Sequence, residues 1–140
     1  MKYQIFKLIC LSSLFILSSF TNYNDEEYNL VIKINDISVI KGKLYIAVYN
    51  SKESFDKKSA IKSGHVDVKN NEETLSFSLP KGEYAIMLYQ DLNNNKKLDA
   101  LFSIPIEPYG VSNNIKGFPS FDKAKFPFDR NKIININIKN

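Results

Sequence analysis

The chain has 140 residues, 44% hydrophobic and 13% aromatic, enough apolar material for one domain around one core. Its single cysteine, Cys10, excludes a disulfide scaffold and a cysteine-based metal site. The net charge of +4 is spread thinly, with Lys57-Lys58 and Lys96-Lys97 as the only adjacent lysine pairs, so the basic stripe of a nucleic-acid binder is missing.

Residues 1–21 read as a cleaved secretory signal. Lys2 and Lys7 form the positive end, Leu8 to Leu17 an apolar run broken only by Ser12 and Ser13, and Ser18, Ser19 and Thr21 offer small residues for cleavage. The run is shorter than the roughly 20 residues of a membrane-spanning helix. Lys7-Leu8-Ile9 lacks the small residue expected before a lipidated cysteine. The expectation is a single bacterial domain at 22–140, periplasmic or secreted, with no transmembrane helix and no thiol in the mature chain.

From Asn29 onward, Leu30, Ile32 and Ile34 alternate with polar or outward positions, the period of a half-buried strand. Lys41-Gly42 marks a turn, and Lys43 to Asn50 reads as a second strand rich in aromatic and branched residues. Ser51 to Ser63 lacks alternation, and Phe55, Ala60 and Ile61 fit a short helix or packed loop. His65 to Val68 and Thr74 to Leu79 read as further strands. Pro80-Lys81-Gly82 is a tight turn signal, predicting an antiparallel hairpin between Thr74–Leu79 and Tyr84–Gln90. A long loop follows, then a single helical turn within Pro119–Phe128, capped by Ser120 and stopped by Pro127. A last strand runs from Lys132 to Lys139. About seven short strands without a strong helical period predict an all-β fold: a single antiparallel β-sandwich, immunoglobulin- or transthyretin-like, with a small closed barrel as the alternative.

The long loop holds the candidate site. In Asp91-Leu92-Asn93-Asn94-Asn95-Lys96-Lys97-Leu98-Asp99, alternate residues carry side-chain oxygens. Aligned to an EF-hand-type loop, Asp91, Asn93, Asn95, Lys97 (through its backbone carbonyl) and Asp99 are the candidate ligands of a Ca²⁺ ion, which takes roughly six to eight oxygens. Lys96 stands where glycine normally supplies the left-handed turn, and Phe102 where a glutamate would close the shell; Glu107 is placed to fold back instead. The expected affinity is weak, about 10⁻⁴–10⁻³ M. The competing reading is an Asx-rich turn that binds nothing.

Gly82-x-Tyr84-Ala85, the Asp91–Asp99 pattern, Ile104-Pro105-x-Glu107-x-Tyr109-Gly110-x-Ser112-Asn113 and Pro119-x-Phe121-x-x-Ala124-x-Phe126 together resemble the domain of unknown function 2141 family of secreted bacterial proteins. The resemblance implies a single exported β-sandwich and carries no established activity. Lys96, Ser103 and Pro108 depart from the pattern, where glycines are expected.

Glu107, Tyr109, Gly110, Ser112 and Asn113 read as residues that structure the loop, with Gly110 supplying an unusual backbone angle. Tyr84, Tyr89, Tyr109, Phe102 and Phe118 either form a sugar- or peptide-binding platform or pin the loop to the body, the second reading being preferred. His65, the only histidine, lacks a nucleophile motif around it, and loop carboxylates among asparagines read as ligands or turn formers rather than a catalytic pair. The expectation is a non-catalytic domain with a structural or interaction role, its partner a protein or glycan at the cell surface or in the periplasm. The alternative is a carbohydrate- or peptide-binding module using the aromatic loop.

Overall fold

The computed structural model describes residues 26–102 and 104–139, and the expected signal segment lies outside them. The alternation that begins near Asn29 forms β1 (Glu27–Asn35), whose Leu30, Ile32 and Ile34 are fully buried. The strands that follow are β2 (Lys43–Tyr49), β3 (Lys62–Asp67), β4 (Glu73–Pro80) and β5 (Gly82–Asp91). Short strands β6 (Ala100–Leu101), β7 (Ile104–Pro105), β8 (Tyr109–Val111) and β9 (Phe126–Phe128) lead to β10 (Lys132–Asn137). Two helical turns interrupt the strands, α1 (Lys52–Asp56) and α2 (Phe121–Ala124), and a 3₁₀ turn covers Ser112–Asn114. No helix among the described residues is long and apolar enough to cross a membrane.

The strands form one sheet in the order β10-β1-β4 and a second in the order β3-β2-β5-β8, with β9 joining the start of β5. A separate two-stranded ribbon pairs β6 with β7. The fold is mostly β, and the sheets do not close into a barrel. One cluster draws buried side chains from both large sheets, including Ile32 of β1, Ile46 of β2, Leu79 of β4, Ile86 of β5 and Ile136 of β10. Each such side chain contributes about 1.5–3 kcal/mol when removed from water.

Two expectations are corrected here. The predicted hairpin between Thr74–Leu79 and Tyr84–Gln90 does not form: β4 pairs with β1, whereas β5 pairs with β2, β8 and β9. Only Lys81 separates β4 from β5, fewer than the two residues of the shortest common hairpin loop, and Pro80 has no N–H for a ladder. The corner therefore carries the chain from one sheet to the other. The pairing is also not antiparallel throughout, since β1 and β10 run parallel from Leu30↔Lys132 to Asn35↔Asn137. Parallel neighbours need a crossover, and the whole intervening chain provides it.

Of the two readings of Ser51–Ser63, a short helix is found at its start, as α1. Ser51 accepts from Ser54 N, and the Ser54 hydroxyl accepts from Ser51 N in return, a capping box that buries Phe55 against the second sheet. Ala60 and Ile61 lie beyond this helix and are exposed. Ser120 occupies the N-cap position of α2 without a side-chain hydrogen bond, and Pro127 lies in β9 rather than at the helix end. The sheets meet at one margin, where Lys139 N donates to Tyr109 O at 2.7 Å and Tyr109 N to Lys139 O at 3.0 Å.

Candidate functional site

The β5 strand delivers Asp91 into the loop almost completely buried, at 1% exposure. Gly42 makes this possible. Its φ of +75° is left-handed, and a Cβ there would sit 2.0 Å from the Asp91 carbonyl oxygen. Asp91 Oδ1 accepts from Asn95 N at 3.2 Å, and Oδ2 accepts from Lys96 N at 2.8 Å. Asn93 and Asn95 make Asx turns, their Oδ1 atoms accepting from Asn95 N at 3.1 Å and Lys97 N at 2.9 Å. Their amide nitrogens face inward, donating to the Asp99 carboxylate at 2.6 Å from Asn93 and 2.9 and 3.0 Å from Asn95.

Glu107 does fold back onto this loop. Buried at 5% exposure, it accepts from Leu92 N at 2.9 Å and Asp99 N at 3.1 Å. Lys96 adopts the left-handed backbone that its position implied, φ 61°, as does Asn94 at 62°. Lys97 contributes its N–H to Asn95 and lines the neighbouring groove. The stretch thus has the curl of a cation loop, closed by its own hydrogen bonds. No three acidic, histidine or cysteine side chains converge among the described residues. A cation entering here has to displace the two amide nitrogens from Asp99.

The other loop-structuring residues act at the far end of the same segment. Ser112, fully buried, donates to Ala124 O at 2.6 Å and accepts from Ile86 N at 2.9 Å, tying α2 to β5. Asn113, left-handed at φ 62°, donates to Lys123 O and Lys125 O, each at 3.0 Å. Gly110 differs from expectation: its backbone is not left-handed. It is needed for space, because a Cβ would lie 2.7 Å from Ile136 Cγ2.

The aromatic residues divide. Tyr84 belongs to the core, edge-on to Phe128 at 5.8 Å, while Phe102 and Phe118 are 91% and 86% exposed and pin nothing. Tyr89 and Tyr109 lie on the outer face of the second sheet. Strand register brings His65, Tyr45, Tyr89 and Tyr109 into one row across β3, β2, β5 and β8. Tyr45 stacks on Tyr89 with centroids 5.4 Å apart and lies 5.5 Å from His65. The next row is Ser63, Ala47, Met87 and Val111, lower because Ala47 is small. A third row, Tyr49 and Ala85, is covered by Phe55 and Phe121 of the two helices.

The first two rows, apart from Val111, which is buried with Phe121, form the floor of an open groove of about 1180 Å³. Leu98, Ala100, Ile104 and Pro105 of the long loop wall one part, and Phe118 and Pro119 another. Burial pushes the Tyr89 phenol up to about 12, with the charges of Asp91, Tyr45 and Glu107 adding to the effect. It is therefore a neutral hydroxyl at any physiological pH. Tyr45 and Ala47 were not among the residues singled out by sequence, His65 was read there only as a lone histidine without a nucleophile motif, and alternation within one strand could not have revealed their neighbours.

A family model described as "Uncharacterized protein conserved in bacteria (DUF2141)" matches residues 32–135. No curated protein and no solved structure matches the chain.

Proposed function

Because the chain belongs to the DUF2141 family of uncharacterised bacterial proteins, we propose, from its own geometry, that it is an exported, non-catalytic ligand-binding module. Its architecture is read as a β-sandwich of immunoglobulin or transthyretin type, with the tyrosine-lined outer groove as the working surface. The observation that carries this reading is the row His65, Tyr45, Tyr89 and Tyr109, which with Ala47 and Met87 lines a walled trough while the Tyr49–Ala85 row of that face lies under helices. Ring faces exposed in a concave site are a recurrent ligand-binding chemistry. The test is chemical-shift mapping of the purified chain against oligosaccharides, peptides and amphiphiles. A ligand of any of these classes should move Ala47, Met87 and Tyr89 without calcium; silence from all three classes overturns the reading.

A second reading concerns the loop itself, and the fold-back of Glu107 onto the backbone of Leu92 and Asp99 favours it. On this reading Ca²⁺ orders the Asp91–Asp99 loop, and with it one wall of the groove. A site with a dissociation constant of ~0.1 mM at ~10 mM calcium adds about 2.7 kcal/mol. That is a rise in melting temperature on the order of 10 °C for a domain of this size. The rise should vanish in Asp91→Ala and should not be reproduced by magnesium. No rise leaves the loop an Asx turn closed by its own hydrogen bonds.

A further inference from the structure

We infer that the groove takes an anionic, single-chain amphiphile, a fatty carboxylate, with the acyl chain along the Ala47 and Met87 floor and the carboxylate at its lysine-bearing rim. This rests on the reading of the chain as a ligand-binding module and specifies the ligand.

Charge is the first argument. Among the described residues, Lys58 and Lys97 line the groove and no aspartate or glutamate does. Neither lysine forms an ion pair among the described residues. An anionic group at the rim therefore meets ammonium groups that no ion pair engages.

Hydrogen-bond supply is the second. Sugar hydroxyls and peptide N–H groups are donors and need acceptors when they are desolvated. Among the described residues, no carboxylate or carboxamide side chain lines the groove. The two central floor strands offer little backbone either, since β2 is paired on both sides, by β3 and β5, and β5 by β2 and β8. What the groove does supply is the Tyr45, Tyr89 and Tyr109 hydroxyls, which donate as well as accept, and two ammonium groups, which only donate, so donors outnumber acceptors. A ligand with acceptors at one end and hydrocarbon elsewhere leaves nothing unpaired.

Shape is the third. Four strands spaced about 4.8 Å apart give a trough on the order of 14 Å long. Ala47 lowers its floor, and the unbranched thioether of Met87 adapts to an irregular chain. Ile104 and Phe118 stand 67% and 86% exposed at its margins, apolar surface that a bound chain would cover.

The test uses the purified full-length chain, titrated with sodium decanoate below its micelle concentration. The readouts are the Met87 methyl resonance and calorimetry. There are only two methionines in the chain, so Met87→Leu assigns the signal. Decanoate should shift Met87, and Ala47→Phe, which fills the floor, should weaken binding at least about ten-fold. Lys58→Glu with Lys97→Glu should weaken decanoate about ten-fold and favour decyltrimethylammonium, the same chain with a cationic head. Melting curves confirm that each variant is folded. If cellohexaose or a ten-residue peptide moves Met87 while decanoate does not, the acyl ligand is wrong and the binding module stands. If none of them moves it, both fail. Decanoate binding undiminished by Ala47→Phe places the amphiphile elsewhere and also overturns the inference.

Discussion

Replacing Ser112 by alanine tests how the long loop is anchored to the body. The hydroxyl is fully buried and serves two groups, donating to Ala124 O at 2.6 Å and accepting from Ile86 N at 2.9 Å. Alanine removes both bonds and leaves a carbonyl of α2 and an N–H of β5 buried without partners. Each orphan costs roughly 1–3 kcal/mol, so the expected loss is about 2–6 kcal/mol. A domain of this size loses about 4 °C per kcal/mol, which gives a drop in melting temperature of about 8–24 °C. Urea unfolding is the assay: the midpoint should fall while the slope, which reports exposed surface, stays constant. The same variant should loosen α2 and broaden the resonances of the adjoining Phe118–Pro119 wall of the groove. A loss below about 0.5 kcal/mol, the range of an unremarkable surface change, would refute the staple.

Further outcomes follow from the backbone, the packing and one phenol. Lys96→Gly relieves a left-handed residue, φ 61°, while retaining the N–H bonded to Asp91. The relief of about 1–2 kcal/mol, less the entropy cost of glycine, should raise stability by about 0.5–1 kcal/mol in calorimetry, and a loss would contradict the strain argument. Gly110→Ala places a methyl 2.7 Å from Ile136 Cγ2 and should cost about 1–3 kcal/mol. Combining it with Ile136→Ala should give a double-mutant cycle far from additive, and additivity would dismiss the contact. Tyr89, held neutral up to about 12 in the folded chain against an ordinary value of 10.0, contributes stability that is full below pH 10 and lost as pH rises toward 12. The alkaline decline in that window should be smaller in Tyr89→Phe, and an unchanged decline would assign it to other groups.

What could be read from residues alone was whatever depends on near neighbours in the chain. The loop chemistry is of this kind: Asp91 bonds Asn95 and Lys96, and the asparagines bond residues two further on, so spacing already implies the network. The strained position of Lys96 follows from the same local curl. Strand parity is equally local. Tyr84, Ile86 and Leu88 fall on one face of β5 and Met87 and Tyr89 on the other, and the core takes the first set.

Parity says which side a residue faces but not which strand lies beside it. The groove depends on that second fact. His65, Tyr45, Tyr89 and Tyr109 come from four strands, and their row exists only because β2 lies between β3 and β5 in this register and β8 follows. A slip of one residue in β2 would turn Tyr45 and Ala47 into the core and bring Leu44 and Ile46 to the surface. Burying Leu44, Ile46 and Val48 therefore selects the register, and the exposed tyrosine row is a consequence of the same choice. Gly110 repeats the point. Glycine at that position suggests a turn, yet the reason for it is Ile136, a residue of the other sheet that only the assembled fold brings within reach. The binding surface is thus specified by the core it covers. Substitutions on the core side of β2 should alter the groove as surely as substitutions within it.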